Sequence, residues 1–346
     1  MYGKHNYSPY IIIGKLSRDF ILTAEGDDIN DIPGGHLLYT AIGMTPWERH
    51  PEIVARIGNN YPQEFLDLLQ KYEYSTYGLK KINSDLEQRN FISYFQPEKS
   101  SQKGKTSQSS VLTQYFNAGK PFPRALLGYN PRKNRTDSLS ERTPETILAR
   151  DIPADYLEAR CVHLCPMDYL SHNLLPQAFS GGTERTITVH AGTGYMQPYY
   201  YEAVKTLVNG LTSFIVREQS LRNLFFEKIR ISQLEDMMKI LLDYGAVNIV
   251  VKAEDRSYYF INRNDRRIKR LVPDRKEEFE KIGELSCFCG AYVVGLNETY
   301  DYQKAAAYGA ARAELLTNEI IPFSNLNVFD ALVNEKARIL ESKIEG

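Results

Sequence analysis

Between residues 232 and 253 the chain reads SQLEDMMKILLDYGAVNIVVKA. Apolar positions recur at helical spacing up to Leu242, Gly245 stops the helix, and a run of β-branched residues follows. The helix buries one stripe, whereas a strand without polar alternates is buried on both faces. A sheet covered by helices on both sides satisfies the two demands together. The succession recurs along the chain. YIIIGKLSRDFIL (10–22) reads as a buried strand, a tight turn at Gly14 and a second extended run. PEIVARIG (51–58) is an apolar strand ending at Gly58, and YPQEFLDLLQKY (61–72) sets Phe65, Leu68 and Leu69 at helical spacing. ARCVHLCPM (159–167) and RTITVHA (185–191) read as strands, and DYQKAAAYGAARAELL (301–316) and NVFDALVNEKARILESKI (327–344) as helices. The alternation predicts an α/β protein with a mainly parallel sheet.

The chain has 346 residues, enough for one large or two ordinary domains. Its formal net charge of -1 gives no overall basic field, so neither nucleic acid nor an acidic membrane surface is an expected partner. No apolar run reaches membrane-span length, and the opening MYGKHNYSPYIIIG lacks a signal-peptide layout, so a cytoplasmic protein is expected. Residues 84–150 break the alternation. PEKSSQKGKTSQSS, NAGKPFPRALLGYNPRKNRTDS and SERTPE are polar and rich in Pro and Gly, with short aromatic runs such as RNFISYF between them. They predict short strands and loops projecting from the sheet, either a lid or a solvated surface excursion.

Four stretches carry candidate chemistry. In DIPGGHLLYTAIG (31–43), Pro33-Gly34-Gly35 leads into an apolar helix that includes Tyr39. Paired glycines at a helix start admit close backbone approach and present free N–H groups. Asp19 follows the first strand and is expected on the same rim of the sheet, where open α/β folds bind ligands. A carboxylate beside such a turn suits sugar-like hydroxyls. The others are FIVREQSLRNLF (214–225), a strand end and charged helix start; VVKAEDRSYYFIN (250–262), a strand, turn and strand; and KIGELSCFCGAYVVG (281–295), a loop entering an apolar helix.

In this order the four resemble the ribokinase-like (PfkB) family of sugar and nucleoside kinases, over most of the chain. IIIGKLSRDFIL resembles that family's first strand and substrate-contacting Asp, which would give that role to Asp19. IPGGHLLYTA resembles its Gly-Gly substrate turn, implying substrate contacts at Gly34, Gly35 and Tyr39. VARIGNNYPQEFLDLL resembles its strand, turn and helix, with Asn60 where Asp is common. The resemblance implies one doubly wound domain over 1–346, helices on both faces and a small β lid built from about 20–33 and 84–150.

The catalytic half departs from the family pattern. Where the family has Gly-Ala-Gly-Asp, this chain has Gly283-Glu284-Leu285-Ser286. The Asp is the family's base, and Ser286 cannot replace it near neutral pH without an activating partner. Glu284 would bring negative charge towards the transferred phosphate. The family's Asn-x-x-Glu, which organises the metal, aligns with Arg217-Glu218-Gln219-Ser220, and its nucleotide turn with Lys252-Ala253-Glu254. Arg217 and Lys252 could form a metal-free anion site, or be surface cations paired with Glu218, Glu254 or Asp255.

Cys161, His163 and Cys165 alternate along one strand with His172 nearby, which raises the idea of zinc. The spacing is not that of structural zinc pairs, and buried thiols acting as small hydrophobes is the simpler account. Cys287 and Cys289 are two apart on a helix and would not face each other. The resemblance and its departures together imply a pseudokinase that binds a sugar, polyol or nucleoside. The alternatives are a divergent active kinase using ATP and Mg, and a scaffold subunit. A homodimer through the lid or a heterologous protein partner is compatible with each.

Overall fold

A computed structural model describes residues 8–47, 50–95, 110–131, 137–179, 185–228, 231–274, 280–316 and 322–346. All of PEKSSQKGKTSQSS except Ser110, and part of NPRKNRTDS, lie outside these ranges.

The opening apolar run forms β1 (Tyr10–Ile13), followed by β2 (Ser17–Leu22), β3 (Asp28–Gly34) and α1 (His36–Met44). Next come β4 (Glu52–Ile57), α2 (Gln63–Lys71), β5 (Leu79–Lys81), β6 (Arg89–Ser93) and α3 (Val111–Asn117). The middle of the chain contributes β7 (Cys161–Leu164), α4 (Tyr169–Ala178), β8 (Thr186–His190), α5 (Tyr201–Val208), β9 (Ser213–Arg217), α6 (Glu218–Leu224) and α7 (Leu234–Asp243). A hairpin of β10 (Asn248–Lys252) and β11 (Tyr258–Asn262) leads to β12 (Ile268–Leu271), then α8 (Glu284–Thr299), α9 (Tyr302–Glu314) and α10 (Asp330–Glu341).

Nine strands form the main sheet in the order β12-β11-β10-β9-β8-β7-β1-β4-β5. Pairing is parallel from β10 to β5 and antiparallel at the β10–β11–β12 edge. Alternation splits β1 between two cores. Tyr10 and Ile12 face the layer that includes α1, α2, α8, α9 and α10, while Ile11 and Ile13 face that of α4–α7. Helix α8 is buried along nearly its whole length, which explains why ELSCFCGAYVVG shows no polar stripe. Among the described residues no helix is long and apolar enough to cross a membrane.

A second, three-stranded sheet has the order β3-β2-β6. Strand β2 runs antiparallel to β3 and parallel to β6, with an irregularity in the β2–β3 register between Asp19 and Ile21. Phe20 and Leu22 lie on the face opposite Asp19, beneath Val111, Tyr115 and Leu126. The 84–150 stretch therefore holds a strand, as expected, and also helix α3. The Ser110 hydroxyl caps that helix by accepting from the Thr113 N–H at 3.2 Å.

Candidate functional site

The small sheet places Asp19 at the rim of the main sheet. The carboxylate is 2 % exposed, and its Oδ1 accepts from Ser17 Oγ at 2.6 Å and Asn90 Nδ2 at 3.2 Å. Burial pushes the Asp19 carboxyl up to about 6, against the pull of those two hydrogen bonds. Gly34, at the end of β3, lies directly against it: a Cβ there would stand 1.9 Å from Asp19 Oδ2. Gly34 thus leaves room for the carboxylate, while Gly35 opens α1.

The other half of the site is the amide end of α8. Gly283 precedes the helix with φ 74, and a Cβ on it would fall 2.0 Å from the ring of Tyr39. Tyr39 therefore covers the helix start. Glu284, fully buried in its side chain, pairs with Lys252 at 3.3 Å and accepts from the Lys281 N–H at 3.3 Å. Lys252 Nζ also donates to the Arg256 carbonyl at 2.6 Å and sits 4.0 Å from the centre of the Tyr258 ring. The helix dipole and its first amides favour an anion here, and the chain supplies its own.

Ser286, one turn in, is 1 % exposed and its Oγ lies 2.7 Å from His36 Nδ1. The His36 ring opens into the space between Asp19 and α8, with His190 edge-on behind it at 5.7 Å. Packing around the ring, with the cations Arg217 and Lys15, lowers the His36 pKa although the ring stays exposed, so it is mainly neutral at pH 7. Arg217, at the end of β9, forks the Glu280 carboxylate at 2.7 and 2.8 Å. Tyr94, just past β6, donates to the Glu280 carbonyl at 3.1 Å and ties the small sheet to this turn. The open cavity between these elements is about 450 Å³, with Lys15, Asp19, His36, Tyr94, Arg217 and Gly283 on its wall.

Among the residues singled out from sequence, Gly35 and Tyr39 also line this cavity. Gly34, Ser286, Glu284, Lys252, Ser220 and Glu254 do not. Two expectations are corrected. Glu284 does not project towards a ligand, because Lys252 holds it in the interior. Arg217 and Lys252 do not form an open anion site; they are paired with Glu280 and Glu284 rather than with Glu218, Glu254 or Asp255. Sequence reading missed Lys15, His36, Asn90 and Tyr94. His36 had a signal in its place directly after Gly34-Gly35, and Asn90 in being the polar residue that opens an aromatic run. Asn60 clamps Leu86 through both the carbonyl and the N–H of that residue.

Cys161 and His163 of β7, and His172 of α4, find protein partners. Cys161 Sγ donates to Asn297, His163 pairs with Thr188, and His172 bonds Tyr195 and the Cys165 carbonyl. Among the described residues no cluster of three His, Cys, Asp or Glu could hold a metal. Among the described residues the acids at the amide end are Glu284, turned inward to Lys252, and Glu280, forked by Arg217, and neither is presented to Mg-ATP.

No family model matches the sequence, and no curated protein sequence matches it. Solved structures do. An E. coli protein assigned as a ribokinase II, in complex with ATP and Mg2+, superposes with TM-score 0.68 at 12 % identity, over 96 % of this chain and 99 % of that one. A fructokinase with bound ATP from Xylella fastidiosa gives 0.65 at 11 % over 96 % and 99 %, and a ribokinase from Thermotoga maritima 0.62 at 16 % over 96 % and 100 %. The chain has the ribokinase-like fold of these sugar kinases.

Proposed function

We propose that this chain binds a small hydroxylated ligand, a sugar, polyol or nucleoside, beneath the small sheet and transfers phosphoryl groups poorly or not at all. One observation carries this reading: the side chains at the amide end of α8 are engaged by the protein itself. The Tyr39 ring lies on Gly283, the Glu284 carboxylate is paired with Lys252, and a hydroxyl bound to His36 stands where a base is needed. Phosphoryl transfer depends on positioned donors for the phosphate and on an acceptor for the proton. General-base help alone is worth about 10²–10⁴ in rate. The ligand side is better provided. Asp19 is a fixed acceptor, with Asn90, Lys15 and His36 placed around the same space.

The test is a thermal-shift series with D-ribose, D-fructose, myo-inositol, glycerol and adenosine, with and without Mg-ATP, beside an assay for ADP release. At least one hydroxylated compound should raise Tm without Mg-ATP, and no ADP should form. Turnover on the order of 1–100 per second would overturn the proposal.

A second reading, a divergent kinase using ATP and Mg, is favoured by His36 alone. Its neutral ring faces the cavity and could take a proton from a ligand hydroxyl. ADP release that disappears in His36→Ala would select that reading.

A further inference from the structure

A second cavity, of about 350 Å³, adjoins the one under the small sheet. The two have Lys15, Ser17 and Asn90 in common on their walls. Asn90 donates to Asp19 on the first side, and Lys15 is tied to Glu145, on the wall of the second, at 2.8 Å. Protein partners hold the polar part of the second wall in place. Gln88 accepts from the Gly58 N–H at 2.9 Å and donates to the Leu16 carbonyl at 3.1 Å. Arg89 forks Glu87 and donates to the Ala125 and Leu127 carbonyls at 2.8 and 3.0 Å. The Tyr129 hydroxyl accepts from the Phe91 N–H at 3.2 Å, and the Arg89 guanidinium lies 5.5 Å from the centre of its ring.

Each cation of this wall has a carboxylate: Lys15 meets Glu145, Arg56 meets Asp151 and Arg89 meets Glu87. The wall is balanced in charge, so a neutral ligand suits it better than a phosphate or a carboxylate, whose own charge would be left without a partner. Donors and acceptors stand beside apolar surface from Leu86, Pro131 and Ile147. A hydroxyl both donates and accepts, so a ring carrying several hydroxyls uses both kinds. A flat heterocycle is less well served. Of the two aromatic rings among the described lining residues, Phe91 packs on Tyr115 at 5.6 Å, and Tyr129 already carries Arg89. Small-molecule sites span roughly 300–1,000 Å³. Cavities of 450 and 350 Å³ joined along one wall therefore suit two sugar rings, one in each.

We propose that the ligand is a disaccharide, with its first ring held by Asp19, its second ring in the adjoining cavity, and the bridging oxygen beside the donors of Lys15 and Asn90. This rests on the reading that a hydroxylated ligand binds beneath the small sheet. Calorimetry on the full-length protein would compare D-glucose, D-fructose and D-galactose with sucrose, trehalose, maltose, cellobiose and lactose, and with adenosine. At least one disaccharide should bind about tenfold or more tightly than each of its own component sugars and than adenosine. Glu87→Gln and Tyr129→Ala should each weaken that disaccharide about tenfold while leaving its component sugars unaffected, and Asp19→Asn should abolish both. Glu87→Gln conserves volume, so it carries the test if Tyr129→Ala folds poorly. The proposal is overturned, and the reading it rests on stands, if single sugars bind as tightly as every disaccharide, if adenosine binds tightest, or if disaccharide binding is unchanged in Glu87→Gln and Tyr129→Ala. Binding of none of these compounds overturns it too; with no response to ribose, myo-inositol or glycerol either, the underlying reading falls as well.

Discussion

Asp19 and Gly34 are matched so closely that a methyl group on the glycine would occupy the carboxylate's place, 1.9 Å from Oδ2. Gly34→Ala should therefore cost about 1–3 kcal/mol, as for overpacking of a filled interior. Removing the obstructing group should relieve it. In urea denaturation, Asp19→Ala/Gly34→Ala should be clearly more stable than the sum of the single changes predicts. Strict additivity would mean that the two residues do not press on each other.

The raised Asp19 carboxyl gives a pH signature. The unfolded group titrates at 3.8 and the folded one at about 6, so the native state holds the proton more tightly. Between those values stability falls as pH rises, by up to about 3 kcal/mol, and the loss is complete above the folded value. Asp19→Asn removes the term. The stability of Asp19→Asn relative to wild type should rise from pH 4 to pH 7 while ligand binding is lost. His36, which shifts the opposite way, cancels in this difference. A difference that is flat with pH would show that Asp19 is not held in the desolvated state described.

Lys252 and Glu284 should behave as a unit. Lys252→Met leaves a buried carboxylate without its cation and should cost about 3–5 kcal/mol. Lys252→Met/Glu284→Leu should recover most of that loss. Equal instability of the single and double variants in chemical denaturation would contradict the pairing.

Restoring the missing acid should not restore chemistry. Ser286→Asp puts a carboxylate beside His36 and draws a proton onto the ring, while Tyr39 and Glu284 still fill the helix start. No ADP release is expected with ribose, fructose or adenosine. The His36 imidazole, followed by NMR, should titrate well above its wild-type value. Kinase-level turnover by Ser286→Asp would show that the serine alone silences the site.

The sheet was legible because its strands are continuous apolar runs and its helices keep a single stripe, both local properties of the sequence. Asp19 and the Gly34–Gly35 turn were legible for the same reason, being close in the chain. What stayed hidden depends on distant partners. His36 and Ser286 are 250 positions apart, and the acid that neutralises Lys252 comes from the start of α8 rather than from the hairpin's own turn. Charge counting along a strand end cannot choose between those partners. Helix α3 was obscured by its shortness and by the polar stretch before it; the Ser110 cap was the usable sign.

The small sheet is also a two-sided object. Its Asp19 face looks into the cavity, and its Phe20–Leu22 face is roofed by Val111, Tyr115 and Leu126 from the same chain. The 84–150 excursion thereby gives the sheet an oily interior of its own. The flap thus keeps its own apolar packing on the face away from the cavity, while the Tyr94–Glu280 hydrogen bond ties it to the turn before α8.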